Sequence, residues 1–162
     1  MAETDFALYD DRHLLNKLTA RQRRILVAAI DDFAEMGYVN ASTKLIAQRA
    51  DAAEGNIFAK FKNKAGLLDT ILQPVMTAVI PAAFTAFVEG NFTREYATLE
   101  AFIKPLVADR IVFLKANPKV LKILVSEVAY SQTRRDQLIA ATPAAQRATI
   151  HAELSNLPSA VC

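Results

Sequence analysis

Apolar residues recur every three or four positions along most of this chain, and this helical period restricts its fold more than any other feature. Ile25, Leu26, Ala29 and Phe33 repeat in this way, and the same spacing returns over residues 99–114 and 120–128. No window shows the alternation of an exposed strand. Four glycines and six prolines in 162 residues also argue against a turn-rich β fold. The sequence therefore predicts an all-α protein.

The composition excludes several classes of protein. With 52% apolar and 22% charged residues, the chain is not disordered, and its length is enough to bury a core. Its one cysteine, Cys162, excludes a disulfide framework. His13 and His151 have no third ligand nearby in sequence, so no metal site is predicted. No serine or threonine lies beside a histidine or in a nucleophile elbow, so we assign no catalysis and no cofactor.

The chain carries no sequence signal for secretion or membrane insertion. Its start is acidic, with Glu3, Asp5, Asp10 and Asp11, which predicts a cytoplasmic protein. Residues 70–88 contain no charge and are near the length of a membrane span. Because this stretch contains Pro74 and Pro81, we interpret it as the core helix of a soluble protein.

Four helix starts are predicted in the first half of the chain. Thr19 and Gln22 form a capping box before a helix over 20–36, which Gly37 ends and which places Asp31 and Asp32 on its polar face. Ser42 and Thr43 can cap a short helix over 43–50. A second short helix covers 54–61 after a tight turn, and Asn63 can cap a fourth that begins at Lys64.

Two short helices joined by a tight turn are the sequence pattern of a helix-turn-helix, with the 20–36 helix as the surface on which they pack. The second short helix would enter the major groove of DNA. The helix N-termini at Ser42/Thr43 and Asn63/Lys64 suit phosphates. They would hold the DNA backbone on both sides of the reading helix.

The second half of the chain is predicted to be a series of helices separated by breakers. Pro74 and Pro81 are expected to kink or stop the fourth helix, and Gly90-Asn91 to form a loop. A long helix should follow Thr93 with a bend near Pro105. The remaining expected features are a helix start at Asn117-Pro118 and an amphipathic stretch over 134–154 interrupted near Pro143.

Positive charge is concentrated in the helix-turn-helix region. Residues 12–66 hold ten Lys or Arg against five Asp or Glu, whereas residues 67–162 hold nine against eight. The basic set Lys44, Arg49, Lys60, Lys62 and Lys64 is either an ordinary solvated face or a DNA-binding face. The helix-turn-helix pattern favours the interpretation as a DNA-binding face. Arg49 is expected to be a structural or solvent-exposed residue.

A family resemblance covers about 50 residues and rests on an ordered series of positions. The matching residues are Ile25-Leu26, Ala28-Ala29, Phe33-Ala34-Glu35, Gly37-Tyr38, Ser42, Ile46-Ala47, Ala50, Gly55, Ile57-Phe58, Phe61, Lys64 and Leu67-Leu68. In this series the chain resembles the DNA-binding domain of the TetR/AcrR family of bacterial regulators. The resemblance implies a homeodomain-like, three-helix DNA-binding domain over 19–66. It also implies a helical ligand-binding and dimerisation domain over 67–162.

The resemblance also implies roles for individual residues. Ser42, Thr43 and Lys64 would meet phosphate, Lys44 would reach phosphate or a base edge, and Gly55 would permit close approach of the backbone to DNA. The complete set of implied DNA-binding residues is Ser42, Thr43, Lys44, Glu54, Gly55, Asn56, Phe58, Lys60 and Lys64. Within it, Lys44, Asn56 and Lys60 would supply most of the base choice.

Three positions depart from the family pattern. Asp51 stands where the turn commonly has glycine, but aspartate tolerates a left-handed backbone better than most residues. Ala53 replaces the usual hydroxyl cap of the reading helix, a loss of about 1 kcal/mol. Phe58 lacks the hydroxyl that would reach a phosphate. Together these changes predict weakened DNA affinity.

The C-terminal half leaves alternatives open. Six aromatic residues either line a ligand cavity or form ordinary core, namely Phe84, Phe87, Phe92, Tyr96, Phe102 and Phe113. Family members usually dimerise through two C-terminal helices, and this sequence ends at residues 156–162, near where the first would finish. The expectation is a short or truncated member, with helices around 119–130 and 134–154 as a substitute interface.

The sequence thus predicts a cytoplasmic, ligand-responsive transcriptional regulator, most simply a repressor. It would bind a near-palindromic operator as a homodimer and respond to a small apolar or amphipathic effector. The alternative is a helical small-molecule-binding or interaction protein with weakened DNA binding. An enzyme is the least favoured class, because no acid-base or nucleophilic set can be assembled.

Overall fold

A computed structural model describes residues 18–92 and 96–155 of the chain. All regular secondary structure in these two ranges is helical, which confirms the predicted all-α class. The helices are α1 (Ala20–Met36), α2 (Thr43–Arg49), α3 (Gly55–Phe61), α4 (Lys64–Pro74), a π-helical turn (Val75–Val79), α5 (Ile80–Asn91), α6 (Leu99–Ala116), α7 (Pro118–Tyr130), α8 (Gln132–Ala141) and α9 (Ala144–Ser155). Three parts of the chain discussed above lie outside the described residues: the acidic N-terminal residues, Thr93 and residues 156–162.

The predicted helix starts are present in the first half of the structure. The Gln22 amide donates to Thr19 Oγ1 at 3.3 Å and the Thr19 amide donates to Gln22 Oε1 at 3.0 Å, which completes the capping box. Ser42 Oγ accepts from the Leu45 amide at 3.1 Å. Asn63 Oδ1 accepts from the Gly66 amide at 2.8 Å. Each of these caps satisfies a backbone N–H that has no partner within its own helix.

Pro74 and Pro81, expected to kink or stop the fourth helix, do not stop it, although the regular α-helix ends at Pro74. The chain is helical from Lys64 to Asn91, so Gly90 and Asn91 also lie in a helix rather than in a loop. Between the two prolines the backbone widens into the π-helical turn, where the Ile80 amide donates to the Val75 carbonyl. Pro81 then lies at the start of α5, where a missing N–H is tolerated. Pro105 likewise lies inside a continuous α6.

One buried core connects the helix-turn-helix to the C-terminal helices. It includes Ile25, Ile46, Ile57 and Leu67 from α1 to α4 and Val120 from α7, all at 0–1% exposure. The α1 helix packs against both α2 and α7. Asp31 of α1 also pairs with Lys119 of α7 at 2.9 Å. The orientation of the first three helices is therefore tied to the C-terminal region through α1.

Asp32 is buried, contrary to the prediction that it lies on the polar face of α1. It follows Ile25 by seven residues and Ala29 by three, so it belongs to the apolar stripe. Arg49 Nη1 lies 2.5 Å from Asp32 Oδ1 and 3.0 Å from Glu35 Oε2, which agrees with a structural role for Arg49. The ion pair between Arg49 and Asp32 does not have the geometry of a hydrogen bond. Both Asp32 carboxylate oxygens therefore lack a hydrogen-bond donor among the described residues.

The Asp32 carboxyl group should make stability depend on pH. Burial raises its pKa above the ordinary value of 3.8, and the opposing attraction of Arg49 is smaller. The folded state therefore holds this proton to a higher pH than the unfolded state. The free energy of unfolding of wild type, relative to Asp32→Asn, should fall as pH rises from 3.8 through the folded pKa.

Chemical denaturation of both proteins between pH 4 and 8 (about the range in which carboxyl groups lose their protons) measures this difference. Its slope should not exceed about 1.4 kcal/mol per pH unit, the limit for one proton. A difference that rises with pH would mean that the attraction of Arg49 outweighs burial.

The six aromatic residues of the predicted pocket are all partly buried, and four of them form a chain of edge-on rings. Ring centroids are 5.9 Å apart for Phe87 and Phe92, 5.4 Å for Phe92 and Phe102, and 5.3 Å for Tyr96 and Phe102. The Arg110 guanidinium lies 4.1 Å from the Phe87 centroid and 5.3 Å from that of Phe113. Tyr96 Oη is buried without a hydrogen-bond partner among the described residues.

The stretch Lys64–Asn91 is long and apolar enough to span a membrane by length and composition alone. Its residues Leu67, Leu68, Ile71 and Leu72 are at most 2% exposed and belong to the core shared with α1 and α7. The core helix of a soluble protein passes the same test, and these contacts account for the apolar composition of α4.

Candidate nucleic-acid interface

The turn between α2 and α3 has the geometry that a helix-turn-helix needs. Asp51 adopts a positive φ of 48°, a left-handed conformation that aspartate tolerates better than most residues. The Arg24 side chain donates to the Ala50 carbonyl at 3.1 Å and so fixes the end of α2 to α1. Thr43 Oγ1 donates to Glu54 Oε1 at 2.5 Å. This bond ties the start of α2 to the start of α3.

The α3 helix buries one side and presents the other to solvent. Ile57 is fully buried and Phe61 is 4% exposed, whereas Phe58 is 49% exposed and Ala59 and Lys60 are also exposed. At 100° per residue, Ala59 points away from the buried pair. Because Phe58, Ala59 and Lys60 are exposed to solvent, this side of α3 can contact a groove of DNA.

Several of the predicted contact residues surround this outward face. Lys44 and Gly55 are exposed, and Ser42 is exposed while its oxygen caps α2. Asn56 is partly buried, and its Nδ2 atom donates to the Ala53 carbonyl at 3.1 Å. The N-cap of α3 is Glu54, one residue after Ala53, and its side chain makes no capping hydrogen bond to α3.

Lys64 lies differently from the other lysines. Its ammonium donates to the backbone carbonyls of Tyr38, Val39 and Ala41 at 2.9, 3.2 and 2.8 Å. It also lies 4.7 Å from the centroid of the Tyr38 ring. Three acceptors use all three donors of an ammonium group, so the charge is engaged within the protein. Lys64 thereby attaches the start of α4 to the loop between α1 and α2.

The sequence analysis did not predict two features of this region. Arg21 and Arg24 line an open groove of about 580 Å³ between the start of α1 and the Asn56, Ala59 and Lys60 side of α3. The surplus of basic residues over 12–66 already included both arginines, but only folding brings them beside α3. Gly66 is the second feature, because a Cβ atom there would lie 2.0 Å from the Phe61 carbonyl oxygen.

The fold and this exposed helix define a helix-turn-helix protein, and this part of the chain is similar to known regulatory proteins. Residues 25–71 match the profile of the bacterial regulatory proteins of the tetR family. The chain is also 44% identical, over 50 residues, to an uncharacterized HTH-type transcriptional regulator, YvkB, of Bacillus subtilis (strain 168). The alignment covers 31% of this chain and 26% of that protein.

These matches confirm the resemblance: residues 25–71 are similar to the regulatory proteins of the tetR family. The aligned part spans about a quarter of the length of the curated relative. The matched range contains α2, α3 and most of α1, and it ends within α4. The matched range therefore contains the exposed reading helix α3 and the helices that pack against it. Because the family match is confined to this part, it supports a DNA-binding module of the tetR type over residues 25–71 and says nothing about the C-terminal helices.

Proposed function

We propose that this protein is a ligand-responsive transcriptional repressor of the cytoplasm that binds a near-palindromic operator through α3. One observation supports this most directly: α3 exposes Phe58, Ala59 and Lys60 on a helix whose other side is anchored by Ile57 and Phe61. In a homodimer, the two α3 helices would enter successive major grooves about 34–36 Å apart. Phosphate contacts would supply most of the affinity and base-edge contacts the sequence choice.

DNA selected from a random duplex pool by the wild-type protein tests this proposal. The selected duplex should bind at least about 1,000-fold more tightly than a scrambled duplex of equal length. Its consensus should contain two inverted half-sites. A protein that binds apolar ligands but no duplex DNA at low salt would instead be a small-molecule-binding protein whose DNA affinity has decayed.

An effector site among the aromatic residues of α5, α6 and the segment between them is supported by the Tyr96 hydroxyl, which has no hydrogen-bond partner within residues 18–92 and 96–155. Its Oη atom is buried beside Phe102, whose ring centroid is 5.3 Å from that of Tyr96. An amphipathic molecule with one hydrogen-bond acceptor would satisfy this group and bury its apolar part against the rings. The helix from Lys64 to Asn91 connects this region to the DNA-binding head. An effector would act through this helix by favouring one distance between the two DNA-binding domains of the dimer.

Lys64→Ala should separate the two roles open to this lysine, phosphate contact and attachment of a loop. Because the ammonium already holds three carbonyls, we expect its removal to lower stability by about 1–2 kcal/mol. DNA affinity should fall, but the slope of log affinity against log salt should stay at the wild-type value. Lys44→Ala is the matched comparison, and its slope should shrink by about 0.9. An equal decrease for Lys64→Ala would show that Lys64 neutralises a phosphate.

A further inference from the structure

A basic groove lies between the start of α1 and the reading helix α3. Arg21 and Arg24 line it on the α1 side, and Ala59 and Lys60 line it on the α3 side. We call this groove of about 580 Å³ the α1–α3 groove. None of the described residues that line it is acidic. Three positive charges therefore share one groove, and because like charges repel one another, they favour an anionic occupant.

The basic side chains of the α1–α3 groove keep donors available for such an occupant. Arg24 Nε donates to the Ala50 carbonyl at 3.1 Å, a bond that uses one of the five N–H donors of the guanidinium. Arg21 and Lys60 are exposed, and neither forms an ion pair within residues 18–92 and 96–155. Since a guanidinium can hold both oxygens of a carboxylate, the groove is suited to acidic side chains.

The first residues of the chain carry the charge that this groove would attract. Residues 1–11 contain four acidic and no basic side chains, and we call them the acidic segment: Glu3, Asp5, Asp10 and Asp11. Thr19 lines the α1–α3 groove, so the chain enters the described structure at the edge of the groove. The intervening residues 12–17 can span about 20 Å when extended. The acidic segment is therefore within reach of Arg21 and Arg24.

The geometry points to the acidic segment as the occupant of the α1–α3 groove, where its carboxylates meet Arg21 and Arg24 beside Lys60. DNA needs the same side of α3, so the acidic segment and the operator compete. A tether of this kind holds the segment at a local concentration of about 1 mM, so a weak contact is enough to keep the groove occupied. The inference rests on the proposed function and adds to it an inhibitor of DNA binding within the chain.

Neutralising the acidic segment in the full chain tests this competition. The variant Glu3→Gln, Asp5→Asn, Asp10→Asn and Asp11→Asn should bind the selected duplex at least about fivefold more tightly than wild type at about 0.1 M salt. The gain should disappear at about 1 M salt, where charges are screened within 3 Å. An affinity equal to that of wild type at the lower salt concentration would overturn the inference.

The matched control removes the same number of exposed carboxylates outside the DNA-binding module. Its four substitutions lie on α5, α6 and α8: Glu89→Gln, Glu100→Gln, Asp109→Asn and Asp136→Asn. This variant should change affinity by less than about twofold, through the general charge of the protein alone. A gain as large as that of the neutralised acidic segment would show an effect of net charge and overturn the inference.

Arg21→Glu separates docking in the groove from an effect at a distance. It places a carboxylate where the acidic segment docks, so neutralising the segment in this background should change affinity by less than about twofold. Arg23→Glu is the matched comparison, because Arg23 is exposed on the same turn of α1 but does not line the groove. In that background the gain should keep its full size. Equal gains in the two backgrounds would overturn the docking.

Disulfide cross-linking locates the acidic segment in protein without DNA. In a Cys162→Ser background, Leu8→Cys combined with Ala59→Cys should form an intramolecular disulfide under mild oxidation, and excess selected duplex should suppress it. Leu8→Cys combined with Val125→Cys, 65% exposed on α7, is the control and should not cross-link. Absence of the cross-link to position 59 would overturn the inference. If no variant bound duplex DNA, the proposed function would fail, and the cross-link alone would decide whether the segment docks.

Discussion

Reversing the charges of Lys44 and Lys60 together is expected to lower affinity for the selected operator by about 100-fold or more at 0.1 M salt, roughly the ionic strength at which charges are screened over 10 Å. Both side chains are exposed, Lys44 on α2 and Lys60 on the reading helix α3. Each substitution by glutamate replaces an attraction to the DNA backbone with a repulsion. Filter binding or fluorescence anisotropy over a range of salt concentrations measures both the affinity and its salt dependence.

The control for this double variant is Lys122→Glu, a reversal at an exposed lysine on α7 that lies outside the DNA-binding module. It should change operator affinity by less than about threefold, through the general charge of the protein alone. The double variant should also lose about two units or more of the salt slope, since two phosphate contacts disappear. Equal losses for the control and the double variant would show that the effect belongs to net charge and not to this face.

Gly66→Ala is expected to destabilise the protein by about 2–3 kcal/mol, which lowers the melting temperature by roughly 5–10 °C for a chain of this size. The added Cβ atom would lie 2.0 Å from the Phe61 carbonyl oxygen and 3.2 Å from its carbon. That contact involves backbone at the end of α3, so a side-chain rotation cannot relieve it. The end of the reading helix would have to move, and DNA affinity should fall with stability.

Gly90→Ala provides the matched control: both glycines lie in helices, and outside its own helix backbone no atom of the described residues lies within 4 Å of a Cβ atom at position 90. Alanine there should leave stability unchanged or raise it by up to about 1 kcal/mol. Thermal unfolding of the two variants gives the comparison directly. A Gly66→Ala protein as stable as wild type would mean that the turn between α3 and α4 can shift freely.

The parts of the fold that the sequence predicted are those set by local interactions. Thr19, Ser42 and Asn63 each cap a helix three residues or fewer from their partner, so neighbouring residues alone determine these starts. The outward side of α3 followed from Ile57 and Phe61, four residues apart on one helix. These signals are contained in short windows, and the structure shows all of them.

The features that the sequence did not predict depend on contacts between distant segments. Lys64 meets carbonyls about 25 residues earlier in the chain, and nothing in its own window distinguishes that role from a phosphate contact. The burial of Asp32 was missed because charged residues are rarely buried, although its seven-residue spacing from Ile25 indicated the apolar side. Pro74 and Pro81 were read as breakers because a π-helical turn between them has no simple sequence signal.

The outward side of α3 is proposed to enter the major groove, and photo-cross-linking from position 59 tests this placement most directly. Ala59→Cys in the Cys162→Ser background places a single attachment site at the outermost point of α3, and Val125→Cys, 65% exposed on α7, is the control. With the selected operator, the label at position 59 should cross-link to bases in both half-sites and the label at position 125 should not. Bound DNA that cross-links from position 125, or not from position 59, would contradict the placement of α3 in the major groove.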